Sequence, residues 1–486
     1  MFLENIKKLD PRIKIVYREK NGHISENSNS ALEVATGEFI ALMDHDDLLS
    51  KNALYEVVKV INDKENVDLI YSDEDKITHD GIRYDPHFKS DFNLDLIYSQ
   101  NYISHLGVYK TDIVKNLGGF RKGFEGSQDY DLLLRYLNVI NHGNIYHISK
   151  VLYHWRAIEG STALNSEQKS YTTESGIKAL DDYLNVLNIP ALVEKGIENN
   201  TYKINWPLDT TKKVSIIIPT YNGYTITKQA IDSILKKTSY PNYEIIIVNN
   251  NSDDKKTLDY LKNIQENKIV RVIDYPFEFN YSAINNYAVK ESSGDIIALL
   301  NNDVEVINKD WLSEMVSLAS RSEIGCVGAK LYYPNNTIQH AGVICGIGGV
   351  AGHSHKHFDK SDSGYFSRLN LRQNLLAVTA ACLVVRKDVF NKVNGLNEKD
   401  LKIAFNDVDF CLKVHSAGYL NVWTPYAELY HHESISRGFE DSPEKIERFN
   451  REIEYMRNTW SELLDNDKYY NNNLTKDHEN FQIKLN

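Results

Sequence analysis

The chain has 486 residues, 42% of them hydrophobic and 25% charged, the composition of an ordinary globular protein with length enough for two or three domains. A formal net charge of -12 excludes the broadly basic surface of a nucleic-acid binder and leaves room only for local cationic grooves. The longest apolar stretch, near Leu375 to Val385, is too short to span a bilayer, and the N-terminus lacks the basic-then-apolar pattern of a secretory signal. The expectation is a cytoplasmic protein, attached at most peripherally to the inner face of a membrane.

In chain order, Ile13 to Tyr17 reads as a first short strand, and GEFIALMDHDD, Gly37 to Asp47, reads as a buried strand ending in carboxylates. The same pattern returns as GDIIALLNNDV, Gly294 to Val304. An offset of 257 carries Ser25 to Ser282, Asn29 to Asn286, Gly37 to Gly294 and Asp46 to Asp303 without a gap, which predicts two copies of one domain. Acids at the tip of a buried strand are costly unless a cation needs them, and a thiol-free oxygen cluster suits Mg2+ or Mn2+.

The expected boundaries are a first domain at 1–181, a linker at 182–213, a second domain at 214–440 and a C-terminal helix and polar tail at 441–486. The second copy predicts a strand at Val214 to Ile218, a Pro-containing turn, a helix near Thr225 to Lys237, and strands at Glu244 to Val248 and Ile269 to Ile273. A helix at Ser282 to Glu291 and the strand ending at Asn301-Asn302-Asp303 follow. This alternation implies an α/β fold with a mainly parallel sheet, whose ligands sit beyond the carboxyl ends of the strands. The Pro219 to Asn222 turn, Asn249 to Asp254 and Asp303 should therefore line one cleft.

The first copy is incomplete. Because Ile13 to Tyr17 aligns with the third strand of the second copy, the two strands and helix before it have no counterpart, and one sheet edge should be exposed. Two explanations stand open at this point: a fragment, or a degenerate domain.

A second acid motif follows each metal-type cluster, Asp129 and Asp131 in QDYDL and Asp407 and Asp409 in NDVDF, each opening an amphipathic helix. A histidine lies 25 residues beyond Asp129, at His154, and 24 beyond Asp407, at His431. Histidine at matched spacing from a matched acid suits a metal ligand or a phosphate contact.

These motifs, with IIIPTYN and IIIVNNNSDD, resemble the family 2 glycosyltransferases of the GT-A fold, closest to the tandem bacterial enzymes of O-antigen and capsule synthesis. The resemblance runs from Ile13 to about Arg437. It implies two tandem GT-A domains, the first lacking its initial strands, and an inverting transfer of a hexose or deoxyhexose from a UDP-, dTDP- or GDP-sugar to a glycan or lipid-linked glycan. It further implies Asp303, His431, Asp44, Asp46 and His154 at a divalent metal, and Asp407 and Asp129 as general bases. Pro219, Thr220, Tyr221, Asn249, Asn301 and Asn302 would lie at the donor. Two departures stand out: Asn249 replaces a common Asp, and NND carries one acid where DHDD carries three.

Two other functions compete. A nucleotidyltransferase would need a Gly-rich, basic phosphate loop, which PTYNGYTITK lacks. A catalytically inactive carbohydrate-binding or assembly subunit fits the first copy better than the second. Four cysteines without CxxC spacing read as buried small hydrophobes, and His353, His355 and His357 read as lining the acceptor side rather than a metal.

Overall fold

The computed structural model describes residues 2–156, 170–433 and 442–485, so Arg437 lies outside the described residues. The chain divides into two compact units, Met1–Asn205 and Trp206–Asn486.

The first unit opens with α1 (Phe2–Leu9), α2 (His23–Val34), β1 (Phe39–Ala41), β2 (Leu48–Leu49) and α3 (Ala53–Asp63). It continues with β3 (Leu69–Ile77), β4 (Arg83–His87), α4 (Leu94–Ser99), β5 (Gly107–Lys110), α5 (Thr111–Asn116), α6 (Gln128–Leu137) and β6 (Ile145–Arg156). Helix α7 (Ser170–Val186) and the hairpin of β7 (Leu192–Lys195) and β8 (Tyr202–Asn205) close it, so residues 182–205 cluster with this unit. The sheet order is β1-β5-β3-β6-β2, with β4 alongside β3.

Ile13 to Tyr17, expected as a strand, pairs with no strand among the described residues. The reason is the missing neighbour: a strand exists only where a partner accepts its ladder bonds, and the equivalent of the partner strand is absent here.

The second unit begins with β9 (Val214–Thr220), α8 (Tyr224–Lys237), β10 (Tyr243–Asn249), α9 (Lys255–Ile264), β11 (Val270–Asp274) and α10 (Tyr281–Glu291). Next come β12 (Ile296–Leu300), β13 (Val304–Val306), α11 (Trp311–Ala319), β14 (Ile324–Tyr332), β15 (Ile338–His340), β16 (Val343–Cys345), β17 (Ala351–His353) and β18 (Gln373–Leu375). The last elements are β19 (Cys382–Arg386), α12 (Lys387–Lys392), α13 (Asn406–Ser416), β20 (Leu420–His431) and α14 (Pro443–Asp465). Its main sheet runs β11-β10-β9-β12-β19-β14-β20-β13. The β-branched runs of β9, β10 and β12 are buried on both faces, as a helix-covered parallel sheet requires. Set against this order, the first sheet repeats β12-β19-β14-β20-β13 and stops.

Helix α14 starts where Ser442 Oγ accepts the Lys445 N–H at 3.3 Å, and its Glu452 carboxylate takes the N–H groups of Ile403 and Ala404. The tail beyond it is packed rather than loose: Asp467, Tyr469, Tyr470, Leu474 and Phe481 are buried. All four cysteines are free and buried, and Trp311 and Trp423 are core residues.

Candidate active site

In the second domain the parallel strands end in register, Thr220 opposite Asn249 and Asn249 opposite Asp274, so their carboxyl ends form one rim. Asn222, in the left-handed region at φ 52, accepts the N–H groups of Asp253 and Asp254 at 3.0 and 2.9 Å and ties the first rim loop to the second. Asn249 donates to Asp274 Oδ1 at 2.8 Å and accepts the Ser252 N–H at 3.1 Å. Pro219 stands next to the strand end, while Tyr221 is half exposed above it. Asn302 donates to the hydroxyls of Thr220 and Thr227, both at 3.2 Å, so its amide nitrogen fastens β12 to β9.

Asn301 sits at the centre of the next layer. Its Oδ1 accepts the Tyr281 hydroxyl at 3.2 Å, and its Nδ2 lies 3.3 Å from His431 Nε2. Pairing of β13 with β20 brings Val304 opposite His431, which sets His431 Nε2 3.2 Å from Asp303 Oδ1. Both side chains are buried.

Asp407 lies in the first turn of α13. Its Oδ2 accepts the Thr379 hydroxyl and the Ala380 N–H, each at 3.0 Å, and its Oδ1 accepts the Val408 N–H at 2.9 Å. Tyr281, the partner of Asn301, also reaches the Ala380 carbonyl at 3.3 Å, so a chain of hydrogen bonds through Tyr281 and Ala380 links Asp407 to Asn301. Three acceptor sites of roughly four on the carboxylate are used. Asp409 does something else: it is fully buried, takes the Trp460 indole N–H at 2.9 Å and pairs with Lys413 at 3.2 Å.

His340 and His353 meet Nδ1 to Nδ1 at 3.0 Å, and His340 Nε2 accepts the Thr379 N–H at 3.4 Å. Burial pushes both imidazoles below their ordinary range. His355 and His357 turn away, stacking on Phe481 and Tyr333, so the alternating histidines do not converge. Thr379 and Ala380 carried no signal in the sequence, since a backbone N–H and a lone Thr have no pattern to find.

The first domain gathers Asp44, Asp47 and His105 within 4.8 Å of one another. Burial pushes the Asp44 carboxyl up, His105 opposes the rise, and the carboxylates of Asp47, Asp129 and Asp46 add to it. Asp129, held by Asn101 Nδ2 at 2.9 Å, therefore faces the same cluster. Here β2 pairs Leu48 with His154, where the second domain pairs Val304 with His431. The register sets Asp47, one residue beyond the alignment's Asp46, in the place of Asp303. Asp46 is partly exposed beside His45, and His154 Nδ1 is bound to Asp75 Oδ1 at 2.6 Å. Asp47 was visible as the fourth member of DHDD, whereas His105 had no sequence signal.

The first-domain group has the donors a hard divalent ion takes, and the second domain sets Asp303, His431 and Asn301 side by side. Neighbouring ligands of an octahedral ion at about 2.1 Å stand about 3 Å apart, which the Asp303–His431 contact matches. In the first domain the fit rests on the donor set, two carboxylates and an imidazole whose ligand atoms lie within 4.8 Å of one another.

The Glycosyl transferase family 2 profile matches residues 2–118 and 215–393, one segment in each unit. An uncharacterized protein of Sinorhizobium fredii, y4gI, is 52% identical over 485 residues, covering 99% of this chain and 53% of that protein. The O-antigen biosynthesis protein RfbC of Myxococcus xanthus is 35% identical over 437 residues, covering 90% of this chain and 34% of that one. The chain thus spans about half or less of the length of these relatives. A solved structure of GalNAc-T7 with UDP, GalNAc and Mn2+ aligns with a TM-score of 0.42 and 15% identity, over 54% of this chain and 51% of that one. Among the described residues no helix is long and apolar enough to cross a membrane. With the profile matched on both units and the fold α/β throughout, the chain belongs to glycosyl transferase family 2.

Proposed function

We propose that the second domain transfers a hexose or deoxyhexose from a UDP-, dTDP- or GDP-sugar to a hydroxyl of a growing surface glycan, with inversion. The observation that carries this reading is the run of contacts from Asp407 through Ala380 and Tyr281 to Asn301, His431 and Asp303. Thr220, Asn249 and Asn302 line the rim where the nucleotide binds, with Pro219 and Tyr221 flanking it. Asp407 removes the proton of the acceptor hydroxyl as its oxygen bonds to the anomeric carbon and the bond to the diphosphate oxygen breaks. Thr379 and Ala380 fix the carboxylate for that task. Asp303, His431 and Asn301 would hold Mn2+ or Mg2+, which when bound offsets charge on the departing diphosphate. His340 and His353 border the acceptor side.

The first domain keeps the acid cluster and Asp129, but its His154 is held by Asp75, where His431 of the second domain stands against Asp303. That difference favours a supporting, non-catalytic role for it, within the longer proteins to which the chain is similar. A donor-hydrolysis screen of UDP-, dTDP- and GDP-sugars, with and without Mn2+, tests the reading. Turnover of at least one donor is expected, and no turnover or binding of any of them would overturn it.

A further inference from the structure

Three side chains of α14 reach the segment that carries Asp407. Glu452, only 1% exposed, accepts the Ile403 N–H on Oε1 at 2.9 Å and the Ala404 N–H on Oε2 at 3.3 Å. Phe449, one turn earlier on the same helix face, stacks on Phe405 with ring centroids 5.5 Å apart. Trp460 donates its indole N–H to Asp409 Oδ1 at 2.9 Å. These contacts bracket Asp407 along the chain. From the other side α10 holds the same loop: the Tyr281 N–H is donated to the Lys402 carbonyl at 2.9 Å and the Ser282 hydroxyl to the Leu401 carbonyl at 2.6 Å.

The loop needs that hold because of Phe405, which opens α13 in the left-handed region at φ 56. A bulky residue with a Cβ is costly there and persists only where its surroundings over-determine it. An ionised acceptor binds backbone N–H groups about twice as strongly as a neutral one, and Glu452 takes two consecutive ones. The first domain solves the same problem differently. Ser127 stands two residues before Asp129, as Phe405 stands two before Asp407, but lies at φ -144. There α7 meets the loop through hydroxyls, Ser127 Oγ donating to the Thr172 carbonyl at 2.8 Å and Ser175 Oγ to the Glu125 carbonyl at 3.1 Å.

We propose that Glu452 is a positioning residue for the transfer: it fixes the backbone from Ile403 to Phe405 and, through it, the place of the Asp407 carboxylate. This rests on the reading of Asp407 as the base. The Asp407 side chain is anchored on Thr379 and Ala380 and its backbone on α14, so the carboxylate keeps its place only while both anchors hold. In Glu452→Gln an NH2 replaces one of the two acceptors and turns a donor toward a backbone N–H. Displacing a reacting group by about 1 Å costs up to about 10²-fold in rate.

The full chain and Glu452→Gln are compared on whichever of the UDP-, dTDP- and GDP-sugars the parent hydrolyses with Mn2+. The kcat should fall about tenfold or more, with the donor KM and the affinity for the matching free nucleotide within about twofold of the parent. In an Asp407→Asn background the same substitution should cost less than about twofold, because the group being positioned is gone. Amide hydrogen exchange of residues 403–408 should quicken about fivefold or more in Glu452→Gln. Phe449→Leu, a milder loosening of the same loop, should move kcat and exchange in the same direction, and it decides the matter if Glu452→Gln does not fold. An equal fall in both backgrounds, a loss confined to nucleotide affinity, or an unchanged kcat or exchange rate overturns the proposal. A parent that hydrolyses no donor overturns the reading of Asp407 together with this one, and is told apart because the loss then precedes any substitution.

Discussion

The central strands of the two sheets, β3 and β14, occupy the same place in the order and differ in chemistry. Strand β14 reads IGCVGAKLY and is buried throughout, with Gly328 so close to Val378 that an added Cβ would come within 2.5 Å of it. Strand β3 reads LIYSDEDKI and buries Asp73, Glu74 and Asp75 at the corresponding positions. Those acids are each satisfied: Asp73 by His147 at 2.8 Å, Glu74 by Lys89 at 3.2 Å and Asp75 by Arg83 and His154 at 2.6 Å. Against the burial that would raise it, Lys89 and His87 hold the Glu74 carboxyl at about 2. One fold thus supports a mostly apolar central strand whose buried Lys330 donates to the Leu369 carbonyl, and a central strand whose three buried acids pair with neighbouring bases. The lesson is that a recurring motif does not keep its contacts in both copies: His154 holds Asp75 where His431 stands against Asp303.

The largest effect that sharpens this contrast is catalytic. Asp407→Asn is expected to lower transfer by about 10² to 10⁴, the usual worth of a general base, while donor binding stays within about twofold. Asp129→Asn is expected to change transfer little, and steady-state kinetics on both variants decides the matter. If Asp129→Asn alone silenced the protein, the allocation of activity would be reversed.

Next in size is stability. Lys89→Met leaves the buried Glu74 only His87 at 3.5 Å and the His105 N–H, and should destabilise the first unit by about 3 kcal/mol, read by denaturant titration, with donor turnover by the second unit retained below that transition. A variant that melts like the parent would show that the ionic centre is dispensable.

A smaller effect belongs to the tail of the second domain. Burial pushes Asp467 up to about 6 from 3.8, opposed by the N–H groups of Cys345 and Tyr469. The folded state then binds more protons than the unfolded one between these values, so stability falls as pH rises through about 4 to 6. The loss is roughly 3 kcal/mol, from 1.36 kcal/mol per pH unit. Asp467→Asn should flatten that slope in thermal unfolding scans, even though it weakens one of the two backbone contacts.

Much of the second domain was legible in the sequence because its strands are uninterrupted β-branched runs and its helices keep a clean period. Asp407 and Asp303 were legible because the repeat exposed them. Ile13 to Tyr17 misled, since an apolar run reports strand propensity and not the presence of a partner. Asp47 and the ionic centre of the first domain were hidden for another reason: a one-residue shift of register between β1 and β2, and the pairing of distant acids and bases, exist only in three dimensions. Thr379, Ala380 and His105 act through position alone.

The most direct test of a working second domain beside a non-catalytic first is calorimetric titration of the full chain with UDP, dTDP or GDP in the presence of Mn2+. One nucleotide per chain is predicted, bound more weakly in Asp303→Asn and unchanged in Asp44→Asn and Asp129→Asn. Two equivalent sites, or one site that survives Asp303→Asn and is lost in Asp44→Asn, would contradict the assignment.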